Sequence, residues 1–249
     1  MQNKVSSSLQ RSGRRKVLIV DDHAILREGL RRVIAEEADL VVCGEVATPH
    51  QALQAVASLK PDIAIVDVTL EHASGLQLLK DIRLRHPRLP VLVLSMHDES
   101  VYAERCLHAG AKGYVMKQAP SRTLVGAVRQ VLDGEIYVSE AVAHQMVRTV
   151  AGSSAGRSLP PLQRLSDREL EVIGLLGRGF RPHAVAQELH LSVKTVEYHC
   201  ANIKRKLQLK SADQLVQRAI QFSQAELASS ANTAREAHEA RRRRSAGHR

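Results

Sequence analysis

The sequence predicts an α/β domain, a doubly wound five-stranded parallel sheet, followed by a small all-α domain. Three observations predict it. Five short aliphatic runs alternate with amphipathic helical stretches across residues 16–133, the rhythm of parallel strands joined by crossover helices. Four of those runs stop abruptly on polar residues, at Asp21-Asp22, Asp67, Ser95 and Lys117. Beyond residue 161 the apolar spacing is helical throughout.

The run Ile63-Ala64-Ile65-Val66-Asp67-Val68 reads as a strand buried on both faces, because a parallel sheet covered by helices needs no polar alternation. Lys16 to Val20 precedes it as a strand running into Asp21, and Ala24 to Ala38 carries a helical stripe of Leu26, Leu30, Val33 and Ile34. Leu40 to Val46 is the second strand. Thr48-Pro49-His50-Gln51 has the form of a capping box with Pro at the first helical position. A helix from about Ser74 to His86 follows Asp67, then a strand Val91 to Leu94, a helix from about Asp98 to Ala109, a strand Gly113 to Met116, and a last helix after Pro120.

Composition narrows the class. The 249 residues are 44% hydrophobic but only 2% aromatic, with no Trp, which suits aliphatic α/β and all-α cores. Thirty-six Lys and Arg against 26 Asp and Glu leave a formal charge of +10, a balance that favours a polyanionic partner. Cys43, Cys106 and Cys200 stand alone, outside any CxxC or metal spacing, the usage of a reducing cytoplasm. The longest apolar runs are strand-sized, and Met1 to Arg15 has no apolar core of a signal peptide. A cytoplasmic location is expected.

The strand ends supply the chemistry. Open α/β sheets place their ligands at the carboxyl edge of the strands. Three carboxylates gathered there, Asp21, Asp22 and Asp67, would raise one another's pKa unless a cation joined them. Oxygen donors with room for water suit Mg²⁺. Lys117 and the Ser95 hydroxyl supply the positive charge and the donor that a phosphoryl group on a carboxylate needs, with Asp67 as the nucleophile.

This constellation resembles the receiver domain of two-component response regulators, a flavodoxin-like fold, over residues 16–133. The resemblance implies that Asp67 is the phosphoacceptor, that Asp21 and Asp22 hold Mg²⁺ with the carbonyl of Thr69, and that Ser95 and Lys117 meet the phosphoryl group. Tyr114 is similar to the switch aromatic that moves with that hydroxyl. The stretches Leu94-Ser95-Met96-His97-Asp98 and Gly110-Ala111-Lys112-Gly113-Tyr114 resemble the NarL/FixJ subfamily. Glu71 stands where many receivers have Pro, a difference that bears on the rates of phosphoryl gain and loss.

Residues 134–161 read as one more helix over 139–150 and a flexible linker from Ala151 to Pro161. In the second half, Ser166-Asp167-Arg168-Glu169 is a capping box before a helix with Leu170, Ile173 and Leu176 inward. A short helix begins at Pro182, with Val185, Ala186 and Leu189 inward. After a turn at His190-Leu191, Ser192 caps a longer helix with Val193, Val196, Cys200, Ile203 and Leu207 on one face. Ser211-Ala212-Asp213-Gln214 opens a fourth helix whose Leu215, Val216, Ala219 and Ile220 face inward or toward a partner.

A short helix, a tight turn and a longer helix with a basic outer face form a helix-turn-helix. At about 100° per residue, the outer face of the longer helix carries Lys194, Tyr198, Asn202 and Arg205. Lys194, Thr195, Glu197 and Tyr198 are placed for bases near its N-terminus, and Asn202, Lys204 and Arg205 for phosphates. Leu165 to Val172 and Leu191 to His199 resemble the LuxR-type DNA-binding domain, spanning 162–223. Arg181-Pro182-His183-Ala184 and Glu197 differ from that family's usual residues, which bears on the target sequence.

The chain therefore reads as a basic arm (1–15), a receiver domain (16–133), a helix and linker (134–161), a helix-turn-helix domain (162–223) and a basic tail (224–249) with Arg241-Arg242-Arg243-Arg244. The resemblance implies a response regulator, phosphorylated on Asp67 by a sensor histidine kinase and binding promoter DNA as a homodimer, with RNA polymerase as a further partner and no enzymatic output. Three other readings fit parts of the pattern. One is a DNA-binding regulator that ignores phosphorylation, and another is an adaptor acting through protein contacts. The third is an acyl-phosphate hydrolase, which would need a second carboxylate where Thr69 stands.

Overall fold

A computed structural model describes residues 13–70, 73–150 and 161–224. Most of the basic arm, Glu71, the linker over 151–160 and the tail from 225 lie outside the described residues. Five parallel strands, β1 (Arg15–Val20), β2 (Leu40–Val46), β3 (Ile63–Val66), β6 (Val91–Ser95) and β7 (Gly113–Met116), form one sheet in the order β2-β1-β3-β6-β7. Arg15 already pairs with Leu40, so the first strand takes in the last residue of the expected arm. A two-stranded ribbon, β4 (Thr69–Leu70) against β5 (Ala73–Ser74), follows β3. Two-residue strands carry no readable alternation, which is why the sequence showed only a turn there.

Successive side chains leave a strand on opposite faces, and the core divides accordingly. Val17, Ile19, Ile63, Ile65, Leu92 and Leu94 pack under helices α1 (Ala24–Ala35) and α5 (Ser121–Leu132). Leu18, Val20, Ala64, Val66, Val91 and Val93 pack on the other side, under α2 (Pro49–Leu59), α3 (Gly75–Arg85) and α4 (Glu99–Ala109). The Thr48 hydroxyl caps α2 by accepting from the Gln51 amide, but the Gln51 side chain accepts from Ala47 rather than from the cap residue itself.

Register positions the site. Val20 lies beside Val66 in the β1–β3 ladder, so the next residues, Asp21 and Asp67, emerge side by side. Gly75 closes the loop after Asp67: a Cβ there would stand 2.4 Å from the Asp67 and Val68 carbonyl oxygens, so the backbone approaches more closely than any side chain permits.

After α5 comes α6 (Glu140–Val150), which packs on α4. A 3₁₀ turn, Pro161–Arg164, replaces the expected end of the linker and leads into α7 (Asp167–Gly177), α8 (Pro182–Glu188) and α9 (Val193–Leu207). Residues 212–224 form a last helix, α10. Both halves of the Ser166–Glu169 capping box are present. Ser192 caps α9 through the Thr195 amide, and the turn before it passes through His190 at φ 53°. Val193 is 37% exposed rather than inward: it is the first residue of α9, and the buried positions of that helix begin at Val196. Val216 and Ile220 are also exposed, which leaves the partner-facing alternative for that side of α10.

Candidate functional site

Each side chain that the strand ends were expected to deliver arrives at one place. Asp21 and Asp67 are 2% exposed, and the Lys117 ammonium lies 2.7 Å from a carboxylate oxygen of each. The free oxygen of Asp67 accepts from the Thr69 amide at 3.0 Å, and that of Asp21 from the His23 amide at 2.8 Å. Burial pushes the Asp67 carboxyl above its ordinary value, against the opposite pull of Lys117. Burial works to lower Lys117, but Asp67 and Asp21 outweigh it and hold the ammonium above its ordinary value. One cation thus shares two buried carboxylates, and the third, Asp22, stands at the rim.

Ser95 is fully buried and accepts from the His97 amide at 3.1 Å. Tyr114 is buried beside it, and its hydroxyl donates to the His97 carbonyl at 2.8 Å. Burial holds that phenol well above its ordinary value.

Two histidines belong to the site without having been singled out. His23 Nδ1 lies 2.7 Å from Asp22 and 3.3 Å from Asp21. His97 pairs with the Thr69 hydroxyl through Nε2 at 2.7 Å and stacks on Tyr102 with ring centroids 4.4 Å apart. The only signals available were adjacency, one residue after the acidic pair and two after Ser95.

Asp21, Asp22, His23 and Asp67 each bring one possible ligand atom, all within 4.8 Å of one another. Three of the four are carboxylates, and two of those are buried. That donor set fits a hard, oxygen-seeking divalent ion.

The second site is the outer face of α9. Lys194, Glu197, Tyr198 and Arg205 are exposed, Tyr198 by 64%. Thr195, Asn202 and Lys204 are half-buried. The Thr195 hydroxyl bonds to Ser192 at 2.8 Å, and Asn202 accepts from Arg205 at 3.2 Å. The face is therefore cationic and open, with Thr195 engaged in the helix cap and Asn202 orienting Arg205.

The carboxylate site borders a cleft between the two domains, and no residue of α9 lines it. A hollow of about 730 Å³ has Asp22, His23, Thr69 and His97 on one wall and Leu170 and Glu171 of α7 on the other. A clasp closes its edge. Asp167 pairs with Lys80 at 2.9 Å and Arg105 at 3.1 Å, while Arg105 also donates to the carbonyls of Gln163 at 2.9 Å and Leu165 at 2.6 Å. Burial pushes the Asp167 carboxyl up, but Lys80 and Arg105 outweigh it and hold it below its ordinary value. Its contribution is therefore full above the ordinary carboxyl range and is lost as pH falls through the lowered value.

Replacing Arg105 with Ala removes charged hydrogen bonds worth about 2 kcal/mol. Domain separation is expected to become roughly 30-fold easier, visible as a larger radius in small-angle scattering. An unchanged radius and unchanged protease sensitivity of the linker would show that the clasp holds nothing.

A lysine-bridged pair of buried carboxylates at the carboxyl edge of a parallel sheet, joined to a helix-turn-helix, defines a two-domain regulator. A family model described as the response regulator receiver domain matches residues 17–129. A second, described as bacterial regulatory proteins of the luxR family, matches residues 163–219. The oxygen regulatory protein NreC of Staphylococcus carnosus is 35% identical over 209 residues, 82% of this chain and 96% of NreC. Its counterpart in Staphylococcus epidermidis is 36% identical over 210 residues, with the same coverage. Among solved structures, RcsB from Salmonella enterica serovar Typhimurium, bound to promoter P1flhDC in the presence of the phosphomimetic BeF3⁻, superposes with a TM-score of 0.63. It is 25% identical, covering 83% of this chain and 98% of RcsB. The chain belongs to the response regulators that join a receiver domain to a LuxR-type helix-turn-helix domain. Among the described residues no helix is long and apolar enough to cross a membrane.

Proposed function

We propose that Asp67 accepts a phosphoryl group from the phosphohistidine of a sensor histidine kinase, and that this controls promoter binding by α9. The observation that carries the reading is the Lys117 ammonium shared between Asp67 and Asp21, buried behind Asp22, His23 and Thr69, which line a cleft whose far wall is α7 of the helix-turn-helix domain. An Asp67 oxygen attacks phosphorus as the phosphorus–nitrogen bond breaks, leaving an acyl phosphate on the protein and a neutral imidazole on the kinase. Asp21, Asp22, Asp67 and the Thr69 carbonyl would hold Mg²⁺, which supplies neutralisation of charge on the transferring group. Lys117 then balances the new charge and Ser95 donates to a phosphoryl oxygen.

Phosphorylation replaces the single negative charge of the Asp67 carboxylate with the roughly two of a phosphoryl group, which draw Lys117 away from Asp21 and break the Ser95–His97 contact. Because His97 also holds Thr69 and the Tyr114 hydroxyl, the change reaches the loops lining the cleft. The active form is a homodimer on paired half-sites, joined through the exposed Val216 and Ile220 side of α10, acting in the cytoplasm with RNA polymerase as a further partner. The reading includes no enzymatic output: Thr69, where a hydrolase would carry its second carboxylate, is engaged with His97.

The test is retention of random genomic fragments by the full chain, with and without acetyl phosphate and magnesium. Salt-sensitive retention that rises on phosphorylation is expected. Retention that ignores phosphorylation would leave a constitutive DNA-binding regulator, and no retention at low salt would leave an adaptor.

A further inference from the structure

The opposite edge of the sheet carries a second feature that the switch does not use. At the amino ends of the strands lies a hollow of about 480 Å³, walled by Arg15, Arg83, Arg88 and Lys112 against a single acid, Asp62. These cations come from four separate segments: the start of β1, α3, the loop after it, and the loop before β7.

Several other surface cations are paired with carboxylates. Arg129 takes Glu37 and Asp39, Arg31 and Arg32 share Glu28, and Lys80 and Arg105 share Asp167. Here, among the described residues, no carboxylate pairs with any of the four. Four cations gathered against one acid repel one another, and an anion in the hollow relieves that repulsion.

The arrangement is also partly fixed in advance. Arg83 donates to the His108 carbonyl at 2.8 Å, and its stem lies against Gly110, where a Cβ would come within 2.7 Å of it. Arg15 donates to the Leu132 carbonyl at 3.2 Å. Each guanidinium has five N–H donors in a fork, so both keep donors free for phosphate oxygens. Arg88 and Lys112 are exposed. Pro61, Leu89, Pro90 and Val131 add apolar wall. A second hollow of about 400 Å³, sharing Arg88, adds Lys60.

We propose that this hollow binds a nucleoside polyphosphate, with the phosphates on the four cations and the nucleoside on the apolar wall. The volume lies within the usual range of small-ligand sites. The charge density calls for at least two phosphate groups.

The test is titration calorimetry of the full chain with ATP and with inorganic pyrophosphate, in EDTA to keep magnesium from the carboxylate site. ATP is expected to bind one site per chain, more tightly than pyrophosphate, and to weaken as salt rises. Arg88→Ser with Lys112→Ser, both exposed positions, is expected to weaken ATP at least tenfold while leaving acetyl-phosphate labelling of Asp67 intact. Lys194→Ala with Arg205→Ala is expected to leave ATP binding unchanged.

Absence of binding, binding indifferent to the Arg88 and Lys112 changes, or binding lost with Lys194 and Arg205 would overturn the proposal. Equal affinity for ATP and pyrophosphate would remove the nucleoside from it. If the Arg88 and Lys112 changes weaken duplex DNA instead, the hollow is a DNA-phosphate contact and the proposal falls. Labelling of Asp67 is measured separately, so the phosphorylation reading stands or fails on its own.

Discussion

Asp67→Asn is expected to abolish phosphoryl labelling by acetyl phosphate and magnesium, a loss with no residual rate at neutral pH. The amide fills nearly the same volume and keeps the acceptor for the Thr69 amide, so folding is preserved while the nucleophilic oxygen is gone. Lys117 keeps its other partner, Asp21, at 2.7 Å, so the variant does not leave a buried ammonium without a counter-ion, the outcome that costs most. Intact-mass spectrometry before and after mild alkali reads the result, because an acyl phosphate hydrolyses where a phosphoserine survives. A label still present in the variant would move the acceptor elsewhere, and Ser95, fully buried behind the site, would be the first residue to exclude.

Lys206→Ala should cost the helix-turn-helix domain about 3 kcal/mol, the scale of stranding a buried charge. Glu169 is only 4% exposed, and its carboxylate is satisfied by the Lys206 ammonium and the Ser166 amide. Burial pushes that carboxyl up, but Lys206 and Ser166 together hold it below its ordinary value. A lowered carboxyl contributes stability that is present above its unfolded value and lost as pH falls through the folded one.

Without Lys206 the burial effect dominates and the sign reverses. The deficit relative to wild type is therefore largest at neutral pH and shrinks on acidification, as Glu169 takes a proton. For a domain of this size the neutral deficit corresponds to a fall of about 15 °C in the melting temperature. Scanning calorimetry at two pH values checks it. A deficit that does not change with pH would mean that lost packing, not stranded charge, is the cause. Glu169→Gln with Lys206→Met, which removes both charges together, should recover most of the loss.

These two cases also mark what was legible in advance. Asp21, Asp67, Ser95 and Lys117 could be read because each ends an aliphatic run, and parallel strands deliver their ends to one edge. The Ser166–Glu169 box could be read because its partners are three residues apart. Lys206 could not, since it lies 37 positions from Glu169 and only the packing of α7 on α9 brings them together. His97 and Arg105 escaped for the same reason: their partners, Thr69 and Asp167, are remote in sequence. Val193 shares the face of Val196 and Ile203, but helical spacing does not say at which turn burial begins. The β4–β5 ribbon is too short for any period to register.

The outer face of α9 is already open while the clasp is closed and α7 walls the cleft. Uncovering a hidden surface is thus not the step that limits occupancy of an operator. On the proposed reading, what phosphorylation supplies is the meeting of two copies, and that step is second order in the activated chain. The response would then scale with the square of its abundance at low coverage, so that the number of molecules per cell acts as a dial of its own, separate from the strength of the incoming signal.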